Sequence, residues 1–96
     1  MAIAYLKRCI DSSPDSSSII IARFLLAEIY LKTNELDTAE ELYLAILATS
    51  GENAEVHFQL GELYNLKGDT TRARSEWRIA YRQDPAHARA RARLNI

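Results

Sequence analysis

Apolar residues recur along most of this chain with the three-to-four-residue spacing of amphipathic helices, and the runs are punctuated at regular intervals. Ile20 to Lys32 follows a serine-rich stretch whose hydroxyls suit an N-cap. Asn34 closes that helix, and Leu36 to Thr49 forms the next, broken by Gly51. Asn53 is placed to cap a third helix reaching Lys67, and Thr70 to Gln83 makes a fourth. Asn34 and Gly68 both tolerate the left-handed backbone that ends a helix, so the two types can substitute for one another. Asp84 followed by Pro85 reads as a cap with proline at the first helical position, opening a last helix over Ala86 to Leu94. Alanine and arginine alternate there, both strong helix formers.

The punctuation also has a longer period. Leu26, Ala27, Tyr30, Asn34, Ala39 and Tyr43 are followed 34 residues later by Leu60, Gly61, Tyr64, Gly68, Ala73 and Trp77, with Ala80 and Pro85 completing the second set. Upstream, Cys9 stands where Ala80 lies and Pro14 where Pro85 lies, alongside Ala2 and Ile10. Ser12 to Ser18 is three residues longer than strict periodicity allows and is expected to be a loop or joint. This spacing resembles the tetratricopeptide repeat, a 34-residue unit that forms a pair of antiparallel helices. The resemblance covers residues 2–94 and is most specific over 20–86.

It implies an all-α fold, an α-solenoid of antiparallel helix pairs in a right-handed superhelix of about six helices. Residues 2–15 would be the second helix of a truncated repeat, 20–53 the first full repeat, 54–87 the second and 86–94 a capping helix. The whole reads as a single domain excised from a longer protein. Two helices pair closely only where a small residue stands at the crossing, so Ala27 or Gly61 is expected to face Ala39 or Ala73. The tyrosines and Trp77 then fill the layers as rigid plates. One departure stands out: the first signature position, often tryptophan, carries Arg23 in one copy and His57 in the other. Packing there should be looser or more polar, with His57 half-buried at the seam.

Composition narrows the function. With 96 residues, 48% hydrophobic and 26% charged, the chain has room for one modest core. Its longest apolar run, Ser18 to Leu26, is interrupted by Arg23 and falls short of the roughly 18 residues a membrane span needs. The start at Met1 shows no basic segment or cleavage site of a signal peptide. A single Cys9 leaves no internal disulfide or cysteine zinc site, and fits a reducing, cytoplasmic setting. His57 and His87 lie 30 residues apart without a ligand-spaced companion, so neither catalysis nor a metal or other cofactor is expected. Gly51, Gly61 and Gly68 match no phosphate-cradling pattern. Net charge is minus 1 but uneven: residues 1–62 hold four basic and ten acidic residues, residues 63–96 eight basic and three acidic. Such a split can steer a charged partner or bring copies together head to tail. The arginines of the last quarter form a basic stripe, yet the slightly acidic whole argues against nucleic acid as the partner.

What the resemblance implies about partners is a groove lined by the first helix of each pair. The seam uses Leu26, Ala27, Tyr30 and their counterparts, so the opposite stripe faces that groove. It comprises Ile21, Phe24, Glu28 and Leu31 in the first repeat, and Glu55, Phe58, Glu62 and Asn65 in the second, with Arg89 following on the last helix. An apolar strip edged with carboxylates suits a protein or peptide ligand that combines apolar anchors with Lys or Arg. Members of this family that clamp a C-terminal carboxylate need lysine and asparagine where Phe24 and Glu28 stand, so that subtype is not expected. The alternative is a structural self-assembly module that forms homo-oligomers through exposed terminal helices, because two full repeats fall short of the roughly three that stabilise an array.

Overall fold

The computed structural model describes residues 16–51 and 53–95. These form five helices: α1 Ser16–Lys32, α2 Leu36–Ser50, α3 Ala54–Leu66, α4 Thr70–Gln83 and α5 Ala88–Leu94. The expected half-motif over residues 2–15, with Cys9, Pro14 and the face bearing Ile3, Leu6 and Ile10, lies outside the described residues. The fold is all-α among the described residues, and its adjacent helices pack in pairs as in an α-solenoid. Two compact units divide at Gly51, one built on α1 and α2, the other on α3, α4 and α5.

Both pairs turn in the same way. Asn34 (φ 67°) and Gly68 (φ 87°) occupy the left-handed region expected of them. The following residue then reaches back across six residues: the Glu35 amide donates to the Tyr30 carbonyl at 2.8 Å, and the Asp69 amide to the Tyr64 carbonyl at 2.9 Å. These bonds satisfy carbonyls that a helix end would otherwise orphan. The next helix begins at once, because Asp69 Oδ1 accepts from the Arg72 amide at 3.1 Å. Asn53 caps α3 through the amides of Glu55 (2.9 Å) and Val56 (3.2 Å). A cap of this kind contributes about 1 kcal/mol.

In the first unit the buried residues are Ala22, Leu26, Ala27 and Tyr30 of α1 with Ala39, Tyr43 and Ile46 of α2. In the second, Val56, Leu60, Gly61, Leu63 and Tyr64 of α3 are buried, as are Ala73, Trp77 and Ala80 of α4 and Ala90 and Leu94 of α5. Every described residue that marked the repeat period in a helix interior is therefore buried. Burial at spacings of three and four residues is what binds a helix to its neighbour, since propensity alone leaves helices of this length marginal.

Three expectations need correction. Helix α1 begins at Ser16, so the last three residues of the anticipated loop are helical. A serine costs only about 0.5 kcal/mol relative to alanine inside a helix, too little to hold back a segment that leads into Ile19–Ala22. At Gly61 a Cβ would overlap Cδ1 and Nε1 of the Trp77 indole, so the missing side chain makes room for a flat ring. His57 is buried rather than half-buried, with Nδ1 2.7 Å from Glu76 Oε2 of α4. The last helix starts at Ala88, not at Pro85, because Asp84 Oδ1 accepts from the Ala86 amide (3.2 Å) in a separate turn. The cap of α5 is His87, whose Nδ1 accepts from the Ala90 amide at 3.1 Å.

At both positions where the repeat often carries tryptophan, a polar contact joins the two helices of a pair. Arg23 donates to Thr49 Oγ1 at 3.4 Å in the first unit, and His57 meets Glu76 in the second. The indole N–H of Trp77 is buried and has no acceptor among the described residues.

Candidate functional site

On α1, Ile21 is 60% exposed and Leu25, one turn on, is 44% exposed. Residues four apart share a helix face, so the two form one apolar flank. Phe24 and Leu31 are half-buried beside it, the Phe24 ring edge-on to Tyr43 with centroids 5.9 Å apart. That contact ties Phe24 to the scaffold while leaving part of the ring at the surface. Glu28 is half-buried and has no ion pair among the described residues. The α1 stripe thus presents aliphatic surface next to an unneutralised carboxylate.

The equivalent stripe on α3 is dressed differently. Phe58 is 3% exposed, because the His87 ring lies over it at a centroid distance of 5.0 Å and the Arg89 guanidinium stacks at 4.7 Å. Glu55 accepts from His87 Nε2 at 2.7 Å, from Arg89, and from Gln59 Nε2 at 3.3 Å. Since His87 Nδ1 accepts the Ala90 amide, its Nε2 must carry the hydrogen that Glu55 receives. Burial pushes the Glu55 carboxyl up, but the hydrogen bonds from His87 and Arg89, the Arg89 charge and the Gln59 bond together hold it below the ordinary glutamate value. Glu62 takes a bidentate grip from Arg93, at 2.7 Å to Nε and 2.8 Å to Nη2. That hydrogen bonding and the Glu62 charge raise the Arg93 pKa further, while burial opposes. Arg93 also lies 5.9 Å from the Trp77 ring centre. Asn65 remains exposed at the end of the stripe, and so does much of Arg89.

Each expected site residue therefore falls into one of two settings. Ile21, Phe24, Glu28 and Leu31 form a partly open surface on α1. Glu55, Phe58, Glu62 and Arg89 are drawn together by α5 into a closed lattice of ion pairs and rings, with Asn65 beyond it. Sequence reasoning missed three participants: Leu25, His87 as cap and Glu55 partner, and Arg93 as the partner of Glu62. A signal for part of this existed, because Glu55 and Arg89 stand one 34-residue period apart and so occupy equivalent places on equivalent helices.

Among the described residues no cluster of three or more His, Cys, Asp or Glu side chains could hold a metal ion. None of the described helices is long and apolar enough to cross a membrane. Paired helices joined by left-handed turns, with an exposed apolar flank on α1, define a helical repeat fold. Residues 2–57 match the family profile of the tetratricopeptide repeat, and the chain belongs to that family. No curated protein matches it. Tetratricopeptide repeats are generally protein-interaction modules and typically non-catalytic scaffolds.

Proposed function

We propose that this chain is a docking module for a partner segment that combines apolar anchors with lysine or arginine, and that the α1 stripe is its principal contact. The observation carrying this reading is the exposure of Ile21 and Leu25 on one flank of α1, with Glu28, which has no ion pair among the described residues, on the same helix. Aliphatic side chains at adjacent turns gain by being covered, each contributing about 25 cal/mol per Å² removed from water. Glu28, with no cation partner among the described residues, supplies the charge that selects a basic residue and fixes its register. Phe24 and Leu31 extend the apolar strip. On α3 the same role falls to Asn65 and to the accessible edges of Glu55, Glu62 and Arg89, while Phe58 supports them from beneath.

Selection from a randomised peptide library tests this. Enriched peptides should carry aliphatic or aromatic residues next to Lys or Arg, and Ile21→Asp with Glu28→Lys should weaken them at least about tenfold, roughly 1.4 kcal/mol. Both positions lie on the helix surface, so the helical circular dichroism should stay unchanged. Equal binding by the double variant would refute the α1 stripe as the docking surface.

A further inference from the structure

The second unit commits every carboxylate that the structure describes there. Glu55 serves His87, Arg89 and Gln59; Glu62 serves Arg93; Asp69 serves Arg72 at 3.5 Å and the start of α4; Glu76 serves His57; Asp84 serves the Ala86 amide. The arginines so engaged are also stacked on rings: Arg72 on Tyr64, Arg89 on Phe58 and Arg93 on Trp77. Arg74, Arg78 and Arg82 have neither kind of partner among the described residues, and all three are exposed. They stand four residues apart on α4, which places them along one face with Thr71 and Ser75 beside them. At a rise of about 1.5 Å per residue, the guanidinium groups line some 12 Å of helix. Like charges at this spacing repel each other, and no described residue of the unit relieves them.

We infer that the α4 arginine stripe is a second docking surface, distinct from the α1 flank, and that its occupant is an acidic segment of a partner protein with carboxylates repeating every helical turn. Guanidinium forks match carboxylates two bonds at a time, and a Glu or Asp at every fourth residue of a helix reproduces the 6 Å spacing of the stripe. The stripe is too short for a nucleic acid: tight phosphate-backbone binding uses roughly six to ten contacts, and this face offers three.

The test is fluorescence anisotropy at low salt with a labelled alanine-based peptide carrying Glu at every fourth position over three turns. A peptide with Gln at those positions and a single-stranded oligonucleotide of equal charge serve as competitors. Binding of the Glu peptide alone, weakened at least about tenfold by Arg78→Glu and less than about twofold by Arg91→Glu, is the expected result. Preference for the oligonucleotide would overturn the assignment, and so would equal losses from Arg78→Glu and Arg91→Glu, which would reflect general positive charge. Sedimentation of the chain alone at 0.15 M salt, where attraction between exposed charges is screened, provides the remaining arm: self-association abolished by Arg78→Glu would make a second copy the occupant and refute the inference.

Discussion

At Gly61 two opposed effects can be weighed. Replacing a mid-helix glycine by alanine ordinarily stabilises by about 0.5–1 kcal/mol through backbone entropy. Here the added methyl would overlap the Trp77 indole, and overpacking a tight interface costs about 1–3 kcal/mol. The steric effect wins, so Gly61→Ala should lower stability by about 1–2 kcal/mol in urea denaturation followed by circular dichroism. Gly51 and Gly68 differ in kind, because a Cβ there would meet no atom within 4 Å and only their positive φ opposes a side chain. His57 and Arg23 show how a polar residue survives at an aromatic position. Each reaches a polar atom on the second helix of its own pair, so a seam that could have been apolar becomes a hydrogen-bonded one. Unpaired burial of such groups would cost about 1–3 kcal/mol.

Helix α5 is the element that decides the character of its unit. It has only seven residues and would not persist alone; its buried Ala90 and Leu94 and the grip of Arg89, Arg93 and His87 on α3 hold it. Because Glu55 titrates below the ordinary value of 4.5 when folded, the stability it contributes is complete above that value and is lost as pH falls through the lowered one. Urea midpoints should therefore drop under acid conditions, and Glu55→Gln should start lower at pH 7 and decline less steeply. The difference between the two pH profiles isolates Glu55 from the other carboxylates. The repeat period was enough to identify the helix pairs and the buried residues Leu26, Ala27, Tyr30, Ala39, Tyr43, Leu60, Tyr64 and Trp77, because period and burial express the same geometry. It could not tell that Phe58 is covered and Phe24 partly open. That difference depends on what lies over each ring, and the alternating Ala and Arg of α5 read only as a good helix former. Nor was the start of α5 legible, since His87 is not among the usual capping types and the Asp84-Pro85 pair imitates a start signal.

Across the whole molecule, the division into units gives a gentler charge split than the break at residue 62. Glu55 and Glu62 belong with the arginines that bind them, so Met1–Gly51 carries minus 3 and Glu52–Ile96 plus 2. With a net charge near zero at the isoelectric point of about 6.1 and opposite signs on the two units, copies should attract one another most near that pH. Light scattering should show a solubility minimum around pH 6 that 0.15 M salt relieves, because screening removes attraction between exposed charges. The two proposed surfaces share this polarity, an acid-edged aliphatic flank on one unit and a basic stripe on the other. Trp77 gives the molecule one further property. It is the chain's sole tryptophan, 6% exposed, its N–H without an acceptor among the described residues and its ring against Gly61. Such an indole emits to the blue of one in water, so any event that parts α3 from α4 announces itself as a red shift. The protein thus carries its own optical label for the second unit, and needs no attached dye.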